Sequence, residues 1–128
     1  MGTSVLVDTD VMIDYLRGHE KAIAFFTARD EQVVLSSIVV AELYAGVKGE
    51  AEQKSLDELI SFLRVVPVTG DIAKAAGLLK RNFEKSHGVN LADAILAATA
   101  ESEKAELKTL NVKHYPMIPG LKPAYLKS

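Results

Sequence analysis

The sequence predicts an α/β protein built on a sheet that is parallel at least in its core, with helices on both faces. Short apolar runs rich in β-branched residues recur along the chain, as strands buried on both faces require: Val5-Leu6-Val7, Val33-Val34-Leu35 and Val65-Val66. Between them lie longer stretches with apolar residues at helical spacing, so that strands and helices alternate. At 128 residues the chain is expected to form a single domain over 1–128, without internal repeat or linker.

Ser4-Val5-Leu6-Val7-Asp8-Thr9-Asp10 opens the chain as a central strand that runs into two carboxylates. Residues 11–17 follow as a short helix, with Asp10 as its N-cap and Gly18 as its stop. Residues 19–29 form a second amphipathic helix carrying Ile23 and Phe26. Gln32-Val33-Val34-Leu35-Ser36 is the next buried strand, expected beside the first. Ser37 caps a helix over 38–48, which Gly49 stops. Over 50–64, Leu56, Leu59, Ile60 and Leu63 keep the i, i+3, i+4, i+7 spacing of one helix face. Val65-Val66-Pro67-Val68 is a third strand, placed at an edge because proline has no N–H for a ladder. Ile72, Ala75, Ala76, Leu79 and Phe83 line one face of a helix over 71–87 that Gly88 closes. Asn90 caps a helix over 91–104, and Leu107-Lys108-Thr109-Leu110 is a fourth strand. From Pro116 on, three prolines and Gly120 mark a surface tail with room for one short edge strand.

Composition removes several classes of function. There is no cysteine, hence neither a disulfide framework nor a thiolate nucleophile. No apolar run approaches a membrane span, and the first residues lack a basic region followed by an apolar segment, so a cytoplasmic protein is expected. The net charge of −2 argues against a nucleic-acid partner only if no metal intervenes, because a bound divalent cation reverses the local sign. Ser36 and Ser37 have no evident base partner, which argues against a serine nucleophile.

The carboxylates carry the chemistry. In an open parallel sheet, ligands sit beyond the carboxyl ends of the strands, which is where Asp8 stands. A structural Asp there would cap the next helix, but Asp10 fills that role and leaves Asp8 without a local task. Glu42, in Ile38-Val39-Val40-Ala41-Glu42-Leu43, borders an apolar helix face; it is either a solvated side chain or a third of a site. Asp93 falls three residues after Asn90, where an acid completes a capping box, yet alanine-rich packing on its helix would also bring it over the strand ends. Three converging acids cannot all stay ionised without a cation, and all-oxygen ligands select Mg²⁺ or Mn²⁺. Such a centre suits metal-assisted hydrolysis at a phosphate. Among the histidines, His87 is assigned to a helix C-terminus, His19 to a turn, and His114 to the surface or the rim of the site.

These residues resemble the PIN-domain ribonucleases, and among them the VapC-type toxins of toxin–antitoxin pairs. The matching pieces are Val7-Asp8-Thr9-Asp10-Val11-Met12-Ile13-Asp14, Ser36-Ser37-Ile38-Val39-Val40-Ala41-Glu42-Leu43-Tyr44-Ala45-Gly46, Leu91-Ala92-Asp93-Ala94-Ile95-Leu96-Ala97-Ala98-Thr99-Ala100, and Thr109-Leu110-Asn111-Val112-Lys113-His114-Tyr115. The resemblance implies a three-layer fold with four to five parallel strands and a Mg²⁺- or Mn²⁺-dependent endoribonuclease leaving 5′-phosphate and 3′-hydroxyl ends. Asp8, Glu42 and Asp93 would be the metal ligands, with Asn111 in the place of a fourth acid, holding a metal-bound water. Thr9, Asp10 and Ser37 would support the site, and Arg17, Lys48 and Arg81 are the candidate RNA contacts. A homodimer and a VapB-type antitoxin partner are implied as well. Two other readings compete. Asp8-Thr9-Asp10 after a strand also resembles the haloacid-dehalogenase phosphatases, with Ser36 and Gly70-Asp71 as loose matches; and the missing fourth acid motivates a catalytically inactive RNA- or protein-binding module on the same fold.

Overall fold

Four parallel strands lie in the order β3-β2-β1-β4, where β1 is Ser4–Val7, β2 Gln32–Ser36, β3 Arg64–Val66 and β4 Glu106–Lys108. The computed structural model describes residues 4–127, without the side chains of residues 84–87, so the role assigned to His87 lies outside the described residues. β1 is the inner strand: Leu6 pairs with Val34 of β2 on one side and with Leu107 of β4 on the other. Val5, Leu6 and Val7 are completely buried, which is what their unbroken apolar run requires of a doubly covered strand.

The chain steps from β1 outward to β2 and β3, then returns past β1 to β4. With right-handed crossovers, that reversal places the connecting helices on opposite faces of the sheet. The helices are α1 (Thr9–Leu16), α2 (Glu20–Thr27), α3 (Ser37–Ala45), α4 (Gly49–Ser61), α5 (Gly70–His87) and α6 (Leu91–Glu103). α5 packs along α6, which lies against β1 and β4; α3 covers β2 and β3 and meets α1 and α4. The alanines of α6 permit this close approach, for Ala94, Ala97, Ala98 and Ala100 are all buried. No described helix is long and apolar enough to cross a membrane.

The edge position of the third strand is as expected, with Pro67 just past its end rather than within it. Several boundaries differ from those the sequence predicts. α1 starts at Thr9, and its N-cap is Asp8, whose Oδ1 accepts from the Thr9 N–H at 2.7 Å. Asp8 therefore does have a local task, and Asp10 lies inside the first turn. Likewise Ser36, not Ser37, caps α3 by accepting from the Ile38 N–H at 3.2 Å. Gly49, with φ of 80°, begins α4 instead of stopping α3, which already ends at Ala45. β4 stops at Lys108, because Thr109, Leu110 and Asn111 turn away to meet Asp10. After the single 3₁₀ turn Val112–His114 the described tail forms no strand.

Candidate active site

The strand order changes direction between β1 and β4, so a crevice opens beyond their carboxyl ends. Asp8 leaves β1 at that crevice, and Thr109 leaves β4 beside it. The Asp8 N–H donates to the Lys108 carbonyl at 2.9 Å, and the Thr109 hydroxyl donates to Asp8 Oδ2 at 2.8 Å. Asp93 arrives from the first turn of α6, where Asn90 Oδ1 caps the helix by accepting from the Asp93 N–H at 2.8 Å. Only the backbone of Asp93 takes part in the cap; its side chain does not complete the expected capping box but turns to Tyr115 and His114 at the crevice.

Tyr115 joins the two acids. Its hydroxyl lies 2.8 Å from Asp8 Oδ2 and 3.2 Å from Asp93 Oδ1, and its ring is almost wholly buried at 1% exposure. Burial, Asp8 and Asp93 together push the phenol far above its usual range, so it keeps its proton and stays a donor. One phenolic proton serves only one acceptor at a time. The shorter contact takes it to Asp8. Burial and the charge of Asp8, with a smaller push from Glu42, raise the Asp93 carboxyl, while the Tyr115 hydroxyl and His114 act to lower it.

Asp10 supports this pair from the side. Its Oδ2 accepts from the Leu110 N–H at 3.1 Å and from Asn111 Nδ2 at 3.0 Å, and its Oδ1 accepts from the Val11 N–H at 2.7 Å. Burial and the neighbouring Asp8 push its carboxyl up to about 6. Asn111, read as the holder of a metal-bound water, spends its amide nitrogen on Asp10 and so fixes the turn after β4. Thr9 donates to Glu42 Oε1 at 2.7 Å, which ties Glu42 to the residue next to Asp8. Ser37 sits farther off, accepting from the Val68 N–H at 3.1 Å and securing the exit from β3.

Asp8 and Asp93 are therefore brought together, and Glu42 stands one hydrogen-bonded residue away. Among the described residues no three Asp, Glu or His side chains close around a single point. The donor set nevertheless fits a hard divalent cation. Burial and the charge of Asp8 raise both Asp10 and Asp93, and among the described residues His114 Nδ1, 3.3 Å from Asp93 Oδ2, is the only basic side-chain group within ion-pair distance of the acids. Magnesium commonly takes one or two carboxylates directly and keeps several waters, so a pair of acids with a third nearby meets its demand.

Beside the acids runs a groove of about 580 Å³ between α1, α3 and α4. Glu42, Arg17 and Lys48 line it, and Ile13, Leu43 and Leu56 are among its apolar walls. Arg81, on α5, is exposed and does not line this groove. Tyr115 and Thr109 were not singled out as functional residues by the sequence. The only signal for them was their place in the Thr109-to-Tyr115 block, where an aromatic reads as ordinary core.

An α/β sheet with paired carboxylates at its switch point is the class of protein that these features define, and residues 5–115 match the family model described as PIN domain. The chain belongs to the PIN-domain family. It is similar over 124 residues to ribonuclease VapC19 of Mycobacterium tuberculosis, at 40% identity across 94% of this chain and 98% of that protein. Ribonuclease VapC10 of the same organism is 38% identical across 94% of this chain and 92% of its own length. Among solved structures the fold is similar to a toxin–antitoxin complex from Klebsiella pneumoniae, with a TM-score of 0.82 and 29% identity over 94% of this chain and 98% of that one. It is similar also to VapBC2 from Rickettsia felis bound to a DNA fragment from their promoter, with a TM-score of 0.78 and 25% identity over 93% and 96% of the two chains. The phosphatase reading is set aside. Ser36, one of the loose matches to that reading, is buried and spends its hydroxyl on capping α3.

Proposed function

We propose that this chain is a divalent-metal-dependent endoribonuclease of the VapC toxin type, hydrolysing RNA phosphodiesters and held in check by a VapB-type antitoxin. The observation that carries it is the Asp8–Asp93 pair at the β1/β4 crevice, bridged by a hydroxyl that keeps its proton. Asp8 and Asp93 would hold Mg²⁺ or Mn²⁺, with Glu42 as the acid that approaches it from the α3 side. When bound, that cation supplies a water of lowered pKa and neutralises charge on the phosphoryl oxygens.

The chain's own residues do the rest. Thr109 and Tyr115 fix the orientation of the Asp8 carboxylate by donating to the same oxygen, which leaves Oδ1 on the helix cap. Asp10 and Asn111 lock the turn that presents Thr109. Arg17 and Lys48 line the groove beside Glu42, where cationic side chains hold an RNA backbone and offset the acidic charge. Specificity for a structured RNA then rests on groove shape rather than on a base code. The two-subunit form in which we place this chain is a homodimer working in the cytoplasm.

The test is cleavage of a structured RNA by the purified chain in Mg²⁺, with and without EDTA, for the wild type and for Asp8→Asn. Cuts that need both the metal and Asp8 are expected. Cleavage indifferent to EDTA and to Asp8, or none at all beside retained RNA binding, would replace the enzyme with a binding module.

A further inference from the structure

The C-terminal segment over 124–127 lies beyond the residues 5–115 that match the family model, yet it is fastened at both ends to the elements that form the crevice. One end reaches the turn after β4: the Ala124 N–H donates to the Thr109 carbonyl at 2.8 Å. Thr109 is the residue whose hydroxyl donates to Asp8. The other end reaches α1, the helix that Asp8 caps. There the Tyr125 hydroxyl donates to Asp14 Oδ2 at 2.7 Å, and Lys127 Nζ lies 3.0 and 3.1 Å from the two Asp14 oxygens.

Asp14 is a carboxylate at 8% exposure, an unusual place for a charge without partners. Burial pushes its carboxyl up, but the Tyr125 hydroxyl and Lys127 ammonium together hold it below the usual carboxylate range. The Tyr125 ring lies parallel to that of His19 and edge-on to Phe25, with centroids 6.1 Å away in each case. Lys21 Nζ donates to the Leu126 carbonyl as well. A solvated tail of this length would be expected to fray. This one places two donors on the one buried acid of α1.

Resting on the metal-site reading above, we propose that residues 124–127 act as a strap: docked on Asp14, they hold the Thr109 turn against the start of α1 and so set the Asp8 carboxylate for the cation. Asp14, Tyr125 and Lys127 are positioning residues in this scheme, since none of them touches the metal or the RNA.

The experiment measures Mn²⁺ affinity by electron paramagnetic resonance on the full chain without RNA, beside amide exchange at Leu110 and Asn111. Three forms are compared with the wild type: Asp14→Ala, the double variant Tyr125→Phe/Lys127→Met, and the conservative Lys127→Arg. The strap predicts that the first two weaken Mn²⁺ binding by about tenfold, the order seen when residues supporting a metal ligand are removed. It also predicts faster exchange at Leu110 and Asn111 with unchanged protection at Val34 and Leu35 in β2, and near-wild-type behaviour for Lys127→Arg. Should Asp14→Ala fail to fold, the tail variant decides, because it leaves α1 intact. A double variant with wild-type Mn²⁺ affinity and wild-type protection at Leu110 and Asn111 overturns the strap. If the wild type itself binds no Mn²⁺, the metal reading falls, and the exchange result alone then decides for or against the strap.

Discussion

The two sides of the crevice are built differently. On the β1/β4 side, Asp8 and Asp93 are gripped by the buried Tyr115 and Thr109 and by the Asn90 cap at the start of α6. On the α3 side, Glu42 is exposed and held by one hydroxyl, that of Thr9. The first side is a preorganised carboxylate pair; the second is an acid free to adjust its reach. In the proposed centre such a division would fix the cation with two ligands and leave the third to follow the substrate, as suits a cation that binds few carboxylates and many waters.

If the sides differ in this way, substitutions on them should differ in size and kind. The largest effect is expected for Asp8→Asn. Asparagine still caps α1 through Oδ1, and with an amide in place of Oδ2 the Thr109 and Tyr115 hydroxyls can turn to Asp10 and Asp93, so the melting temperature should hold while cleavage falls on the order of 10³-fold in an RNA assay. Tyr115→Phe comes next. Removing a buried hydroxyl bonded to carboxylates should cost about 2 kcal/mol in denaturant unfolding with EDTA, and added Mn²⁺ should recover much of that loss by replacing the lost donor between the acids. Glu42→Gln should lower Mn²⁺ affinity by about tenfold and leave stability within about 0.5 kcal/mol, because the side chain is exposed. Equal effects of Asp8→Asn and Glu42→Gln on both readouts would erase the distinction between the two sides.

A further test concerns pH and sharpens the comparison from the buried side. Asp10 is raised from 3.8 to about 6 in the folded chain by burial and by Asp8, and Asp93 is raised by burial and by Asp8 too. The folded state then binds more protons than the unfolded one between these values, so metal-free stability should fall as pH rises from about 4 to about 6. Asp14 acts oppositely and in another window, its contribution being lost only as pH drops below 3.8. Urea unfolding in EDTA across pH 4 to 7 is expected to show the decline, with a shallower slope in Asp10→Asn. A slope of the opposite sign over that range contradicts the account of the acid cluster.

Much of this layout was legible in the chain. The run Ser4 to Val7 read as the central strand because unbroken apolar residues need cover on both faces, and β1 is inner and buried. Asn90 and Asp93 read as a cap because their spacing alone makes that bond. Local chemistry was misassigned where two neighbours compete for one role. Asp8 and Asp10 are both fit to cap α1, and so are Ser36 and Ser37 for α3; the earlier of each pair caps because the helix starts directly at the end of its strand. What the sequence hid are partners far away along the chain. Tyr115 meets Asp8 across 107 positions and Tyr125 meets Asp14 across 111, and no periodicity announces such contacts.

The most direct measurement is Mn²⁺ binding to the purified chain, followed by electron paramagnetic resonance for the wild type, Asp8→Asn and Asp93→Asn, each checked as folded by circular dichroism. The account predicts saturable binding by the wild type and its collapse in both variants. Folded variants that bind Mn²⁺ as tightly as the wild type would contradict it.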